Sequence, residues 1–276
     1  MRSLQDLASA STHFPRTPPM PLLFLGHGSP MNAIEENEFV VGFRRQAQNL
    51  PRPHAILCIS AHWLTNGTHL TAMPAPRTIH DVYGFPPTLY EVNYPAPGSP
   101  ALAAEAQQLL SPSIAQLDMH WGLDHGAWSV LKHLFPAADV PVVQMSIDYH
   151  RAPSHHYELA KRLYPLRERG ILIVGSGNLV HNLSKVDFSR VNEVGYGYDW
   201  AHEARNRINN AMDDEDLDTL LHYERQGHAF RMAIPTPDHY FPLLYCMGLK
   251  QKHESAFRFN DQLLAGSLSM TSVRFN

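Results

Sequence analysis

The sequence predicts a single α/β domain in which a mostly parallel central sheet is flanked by helices on both faces. Short apolar, partly β-branched runs alternate along the chain with longer segments of helical period, which is typical of such a sheet. The chain has 276 residues, 44% of them hydrophobic and 17% charged, and a chain of this size and composition can bury a single core. The predicted strands are residues 22–25, 55–60, 140–147 and 171–174.

The predicted domain spans residues 21–276. Residues 1–20 mix Ser, Thr, Pro and Arg without periodicity, and we expect them to form a flexible leader. Two further segments also have recognisable sequence patterns. Residues 73–100 contain six prolines from Pro74 to Pro97 and predict a long ordered loop, which in a compact domain is usually functional. Short alternation in residues 267–275 predicts a last strand.

Helix boundaries are marked by capping residues and prolines. Ser99 and Pro100 predict an N-cap and first helical position, and Asp199 precedes a second helical segment. Pro136 predicts the end of the helix in HGAWSVLKHLF.

The segment TPDHYFPLLYCMG carries conflicting helix signals. Thr236 is a candidate N-cap, Pro237 a candidate first position and Gly248 a candidate terminator, which places His239 in the first helical turn. Pro242 then falls where the helix needs a donor, at a cost of about 3 kcal/mol. Such a local violation indicates a functional site, the alternative being an ordinary kinked helix.

Charge and composition exclude several classes of function. Lys and Arg number 22 and Asp and Glu 26, so the net charge of −4 offers no surface for nucleic acid or an anionic membrane. The sequence contains neither an apolar run long enough to cross a bilayer nor a secretory h-region, so we expect a cytoplasmic protein. Cys58 and Cys246 lie in apolar stretches, which predicts buried, reduced thiols.

Histidine is unusually abundant, with 18 residues against 16 glycines. His27 and His62 directly follow two predicted strands, and His181 follows a third within a few residues. Ligands bind beyond the carboxyl ends of strands in open α/β sheets, so these three side chains are expected to converge. The glycines around His27 and in GSGN let the chain turn away from the strands. Convergent neutral imidazoles suit Zn, Cu, Fe or Ni, although each histidine alone is more often an ordinary loop residue.

Other catalytic motifs are weak or absent in the sequence. His125 follows Asp124 at a predicted helix start, where the carboxylate can cap the helix and interact with the imidazole. GSGNLV lacks the third glycine of a dinucleotide-binding loop, and H-E-x-x-H is absent. No G-x-S-x-G elbow occurs, although Ser29 and Ser176 lie near histidines and leave a serine hydrolase open.

Several blocks carry a family resemblance: LFLGHGSPMN, SAHW, IHD followed by GFP and YPAPGSPAL, DHGAW, SGNLVHNL, TPDHY with PLLY, and GSLSM. Together they resemble the 4,5-DOPA extradiol dioxygenase family, within the class III ring-cleaving extradiol dioxygenases. The resemblance runs from Pro21 to Val273. Val82 and Tyr83 depart from the pattern of relatives, which often carry Phe followed by a small or aromatic residue.

The resemblance implies a mononuclear divalent metal held by His27, His62 and His239. It also implies His181 as a fourth ligand or the general base, and His125 as the group that hydrogen-bonds oxygen or supplies a proton. Relatives in the wider class use two histidines and a glutamate, so a histidine in the third position blurs the choice of metal. We expect Fe(II) for activity and Zn(II) in a purified or crystallised form.

The implied reaction uses O2 to open a catechol ring, with L-DOPA giving 4,5-seco-DOPA. Trp63, Tyr83 and Tyr90 are candidates to line the aromatic pocket, with His80 at its edge. The expected partners are therefore a small catechol and O2, and both a monomer and a homodimer remain open. A zinc-dependent hydrolase and a non-catalytic metal-binding homologue are the alternatives.

Overall fold

The architecture of the computed structural model, which describes residues 14–276, is an α/β domain built on an eight-stranded sheet. The strand order is β4-β3-β5-β2-β6-β1-β10-β7, and β8 pairs with β9 in a separate small sheet. In chain order the strands are β1 (Leu22–Gly26), β2 (Ala55–Thr65), β3 (Thr68–Thr71), β4 (Ala115–Asp118), β5 (Val142–Asp148), β6 (Ile171–Gly177), β7 (Ala256–Phe259), β8 (Leu263–Leu264), β9 (Leu268–Ser269) and β10 (Ser272–Phe275).

The centre of the sheet is parallel, as predicted. Strands β5, β2, β6 and β1 pair in parallel and are almost entirely buried, whereas β10 and β7 continue the β1 side in antiparallel orientation. All four predicted strands are confirmed, and the last predicted strand is divided into β9 and β10. One boundary was wrong: β2 continues past Ser60 through a register shift between Ile59 and Leu64, so His62 lies inside the strand and not beyond it.

Helices cover both faces of the sheet. They are α1 (Glu38–Gln48), α2 (Pro87–Tyr90), α3 (Pro100–Leu109), α4 (His125–Leu134), α5 (Pro153–Lys161), α6 (Tyr164–Arg167), α7 (Asp199–Asp213), α8 (Leu217–Leu221), α9 (His228–Ala233) and α10 (Phe241–Leu249). Among the described residues, no helix is both long and apolar enough to cross a membrane.

Two apolar cores lie on opposite faces because successive strand residues point to opposite sides. In β1, Leu22 and Phe24 belong to the core formed with α3, α5, α7, α9 and α10. Leu23 and Leu25 belong to the core formed with α1 and α4, where Trp128 is fully buried. The sheet therefore lies between two packed layers.

Most predicted helix boundaries are confirmed. The Ser99 hydroxyl accepts a hydrogen bond from Leu102 N at 3.2 Å, and helix α4 ends at Leu134, just before Pro136. Asp199 is the first residue of α7 and not its cap. Cys58 and Cys246 are buried free cysteines, as expected.

The segment from Thr236 to Phe241 corrects the helix prediction there. Tyr240 N and Phe241 N both donate to Pro237 O, at 3.0 and 2.9 Å, and close a turn. Helix α10 begins only at Phe241, so Pro242 occupies its first turn, where no donor is needed. Gly248 lies inside α10 and does not end it. Glycine is required there by close packing, because a Cβ would lie 2.2 Å from a carbonyl oxygen of α5.

The predicted boundaries at residues 1–20 and 21–276 stay a prediction. Residues 1–13 lie outside the described residues. Beyond them, Thr17 N donates to Glu168 O at 2.8 Å and Met20 N to Arg167 O at 2.9 Å, so the chain is already bonded to the domain before β1 begins.

Candidate functional site

Five histidines meet at the carboxyl edge of the sheet. His27 directly follows β1, His62 lies near the end of β2, and His181 follows β6 by four residues. His125 is the first residue of α4, and His239 lies in the turn before α10. The sheet and two helix starts thus bring together residues that are far apart in sequence.

Three of these rings form a nearly equilateral triangle. Their centroids are 5.0 Å apart for His27 and His62, 5.2 Å for His27 and His239, and 4.9 Å for His62 and His239. The Nε2 atoms of His27 and His62 are 3.2 Å apart. His27 and His239 are buried, and His62 is partly buried. Candidate ligand atoms lie within 4.8 Å of one another in two groups, His27 with His62 and His125, and His181 with Asp238 and His239. His239 as the third ligand beside His27 and His62 therefore stays a prediction.

The hydrogen bonds of His27 define which ring nitrogen is free. Its Nδ1 lies 2.9 Å from the hydroxyl of Ser176, and that hydroxyl donates its own proton to Gly126 O at 2.5 Å. The hydroxyl oxygen therefore accepts from Nδ1–H, which leaves the lone pair of His27 on Nε2.

His239 is oriented in the same way by a carboxylate. Its Nδ1 hydrogen-bonds Asp238 Oδ2, and its Nε2 is buried with no hydrogen-bond partner among the described residues. Burial opposes ionisation of Asp238, but the hydrogen bonds from His239 and Thr236 lower its pKa to about 2. A buried, unpaired imidazole nitrogen is costly unless it binds a ligand, so this atom fits a metal site.

His239 also depends on a close backbone approach. A Cβ at Gly177 would lie 2.2 Å from His239 O, and Asn178 N donates to the same oxygen at 2.8 Å. Gly177, the second glycine of GSGN, therefore lets the turn that contains His239 lie directly on β6. Gly177 is itself part of β6 and not a turn residue.

The other two histidines flank the triangle. The ring of His125 is 3.8 Å from that of His62, and His181 stacks on His239 at 3.5 Å with an interplanar angle of 9°. Burial, reinforced by the neighbouring imidazoles, lowers the pKa of His27 and His62 well below the usual range and that of His181 to about 3. His27, His62 and His181 are thus uncharged at neutral pH, the form in which an imidazole binds a metal.

Two aspartates bracket His125. Asp81 Oδ1 accepts from His125 N at 2.9 Å, and Asp81 Oδ2 from His125 Nδ1 at 3.0 Å. Asp124 caps α4 by accepting from Ala127 N at 3.1 Å, as the sequence predicted, but the imidazole hydrogen-bonds Asp81. Burial, followed by the charge of Asp81, raises the pKa of Asp124 to about 6.

Of the four residues predicted to line or border the aromatic pocket, three contact residues other than the five histidines and one is exposed. Trp63 stacks on Trp121 at 5.5 Å, and Tyr83 is 90% exposed. Tyr90 donates from its hydroxyl to Val82 O at 3.3 Å. His80 Nε2 is 2.9 Å from Val92 O. Among the described residues, no side-chain hydrogen bond or ring contact joins these four residues to the five histidines, and their role stays a prediction.

Sequence reasoning missed Asp81, Asp238 and Ser176 as partners of the histidines. Asp238 could have been found from its place beside His239. Ser176 was noted only as a candidate nucleophile, but it is fully buried and hydrogen-bonded on both sides. Ser29 instead caps the short helical turn Pro30–Ala33. Ser176 is therefore too buried to be an exposed nucleophile, whereas Ser29 is partly exposed.

Comparisons with known proteins identify the family of the chain. Residues 17–263 match the family described as "Catalytic LigB subunit of aromatic ring-opening dioxygenase". The chain is 42% identical over 276 residues to the 4,5-DOPA dioxygenase extradiol of Escherichia coli K12, covering 98% of each chain. It is 34% identical to the protein of the same name from Beta vulgaris, over 91% of this chain and 95% of the relative.

A solved structure shows the same fold. It is the crystal structure of an uncharacterized protein of Escherichia coli K12, with 39% sequence identity and a TM-score of 0.80. The match covers 93% of this chain and 100% of that structure.

Proposed function

Since the chain belongs to the LigB family of aromatic ring-opening dioxygenases and is an extradiol ring-cleaving enzyme, we propose that it converts L-DOPA to 4,5-seco-DOPA with O2 at one divalent metal ion. The proposed ligands are His27, His62 and His239. The names of the Escherichia coli and Beta vulgaris relatives support L-DOPA as the substrate.

The observation that carries the proposal is the triangle of His27, His62 and His239. Two of its rings have Nδ1 engaged by Ser176 and Asp238, so their Nε2 lone pairs are available to a metal. Metal-binding histidines usually have this second hydrogen bond, which fixes both tautomer and ring orientation. The donor set therefore fits the metal that the family requires.

The two flanking histidines, His181 and His125, are the proposed proton-transfer groups. His181 is neutral at working pH and lies against the triangle, so its imidazole is the proposed acceptor of a proton from a catechol hydroxyl. His125 is held by Asp81 beside His62 and is the proposed partner for the oxygen that reacts with the ring. The family resemblance also allows His181 as a fourth ligand.

The choice of metal follows from the chemistry. Fe(II), when bound, passes electrons between an electron-rich aromatic ring and O2, whereas redox-inactive Zn(II) does not. The protein contributes a site with buried His27 and His239 side chains, in which a positive ion would favour deprotonation of the catechol. We therefore propose Fe(II) as the active metal and expect Zn(II) in protein purified without iron.

Metal exchange tests the proposal. Metal-free protein is loaded with Fe(II) or Zn(II), and oxygen uptake and the yellow ring-opened product are followed with L-DOPA and a series of substituted catechols. We expect turnover with Fe(II) only. Absence of oxygen uptake with every catechol, together with ester or amide cleavage by the zinc form, would instead establish a hydrolase.

We also propose that the enzyme works in the cytoplasm, which the two buried free thiols support. Light scattering of the purified protein distinguishes the monomer from the homodimer, both of which the sequence leaves open.

A further inference from the structure

Asp81 makes two hydrogen bonds to one residue across the site. Its two carboxylate oxygens accept separately from the main-chain N–H and the Nδ1–H of His125, at 2.9 and 3.0 Å. A carboxylate that accepts hydrogen bonds from both the backbone and the ring fixes the position and the rotation of the imidazole. Because Nδ1 holds the proton, Nε2 is the nitrogen that neutral His125 presents with a free lone pair.

Other carboxylates do not share this task. Asp124 directly precedes His125, but its oxygens are engaged by Ser60 Oγ at 2.7 Å, by Ala127 N and by Gln144 Nε2. Asp81 Oδ2 also faces His62 Nδ1, but at 3.9 Å, which is too far for a hydrogen bond. Both hydrogen bonds of the Asp81 carboxylate described above are therefore made to His125.

Hydrogen bonds of the residues next to Asp81 fix the position of the proline-rich segment. On one side of Asp81, Ile79 O accepts from Trp128 Nε1 of α4 at 2.8 Å. On the same stretch, His80 hydrogen-bonds Val92 O within the loop, and Ile79 N donates to Leu123 O at 2.7 Å. The loop is therefore fastened to the same helix that begins with His125.

We propose that Asp81 is a positioning residue that sets the tautomer and orientation of His125, and that the proline-rich segment 73–99, which includes helix α2, holds Asp81 in place. The effect on turnover rests on the proposed function, whereas the effect on the ring of His125 does not.

The test compares Asp81→Asn and Asp81→Glu with Glu91→Gln. The asparagine keeps the shape but removes the charge and the second acceptor, and the glutamate restores a carboxylate. Glu91 is an exposed carboxylate on the same loop and serves as the matched control. Two-bond 1H–15N spectra of the metal-free proteins report which nitrogen of His125 holds the proton, with His125→Gln used for assignment. Metal content, kcat and KM are measured on the iron-loaded proteins.

We expect His125 to be protonated on Nδ1 in the wild type and in Glu91→Gln, and Asp81→Asn to lose this preference. Its kcat should fall about 10- to 100-fold, the usual loss when a group that orients a histidine at a metal site is removed, with KM and metal content within about twofold of wild type. Asp81→Glu should recover part of both signals.

Three results would overturn the inference. They are protonation of wild-type His125 on Nε2, an Asp81→Asn variant that matches Glu91→Gln in both spectrum and kcat, and an Asp81→Asn variant that loses metal. If the wild type opens no catechol, the proposed function fails, but the spectra of the metal-free proteins still decide whether Asp81 orients His125.

Discussion

Replacing Ser176 by alanine tests whether hydrogen bonds behind the histidine triangle control metal affinity. The serine is fully buried, and its oxygen joins His27 Nδ1 at 2.9 Å to Gly126 O at 2.5 Å. Without it the His27 ring can rotate or change tautomer, so the lone pair on Nε2 is no longer fixed toward its neighbours.

The expected size of the effect follows from the bonds removed. Loss of a partner behind a metal ligand typically weakens metal binding about 10- to 100-fold, which corresponds to roughly 1.4 to 2.7 kcal/mol. Folding stability should fall less, by about 1 kcal/mol, because Ser→Ala leaves almost no cavity and removes ordinary hydrogen bonds. The metal affinity should therefore change more than the stability.

Competition with a chelator of known affinity measures metal binding, and urea unfolding of the metal-free protein measures stability. Ser129→Ala is the matched control, because Ser129 is a buried serine of α4 whose hydroxyl has no hydrogen-bond partner among the described residues. If Ser176→Ala and Ser129→Ala bind metal equally well, the hydrogen bond to His27 has no part in metal affinity and the reasoning is refuted.

Three further predictions follow from the same structure. His239→Ala should lose bound metal, whereas His125→Ala should retain it and lower kcat; metal analysis with oxygen uptake separates the two, and equal metal loss would contradict the division of roles. Burial opposes ionisation of Glu254, but its hydrogen bonds from Arg167 and the Gln251 main chain lower its pKa. The ion pair of Glu254 with Arg167 therefore stabilises the fold at pH values above the usual carboxyl range. This stabilisation is lost as the pH falls through the lowered pKa. Urea unfolding across pH 3 to 7, roughly the range in which carboxyls titrate, should show a weaker acid dependence in Glu254→Gln than in the wild type. Gly248→Ala should destabilise the protein by about 1 to 3 kcal/mol, because its Cβ would lie 2.2 Å from a carbonyl oxygen of α5, and an unchanged urea midpoint would argue against that packing.

The parallel strands were predictable because strands buried on both faces form continuous apolar runs. Convergence of His27, His62 and His181 followed from the same prediction, since parallel strands bring their carboxyl ends to one edge. The position of His239 could not be obtained in this way. It lies in a turn before a helix, and its contact with Gly177 joins segments about 60 residues apart.

The partners of the histidines were less visible for a physical reason. His125 and Asp81 are 44 residues apart, and His27 and Ser176 are 149 apart. Each contact depends on the path of a loop or the register of neighbouring strands, and neither leaves a periodic signal. The helix error near Pro242 had a local cause, because Thr236 and Pro237 have the residue types of a helix start but close a turn instead.

The hydrogen bonds at Nδ1 also explain how three neutral ligands can serve a site in which the wider class uses a glutamate. In the proposed ligand set, His239 replaces that carboxylate, and Asp238 lies directly behind it, ionised and hydrogen-bonded to its ring. A carboxylate behind an imidazole raises the basicity of the ligand, so part of the missing negative charge acts through the ring. His27 has only the neutral hydroxyl of Ser176 behind it, so the two histidines differ as ligands although their side chains are chemically identical. That difference depends on the residues behind each ring, and it could not be inferred from the histidine positions alone.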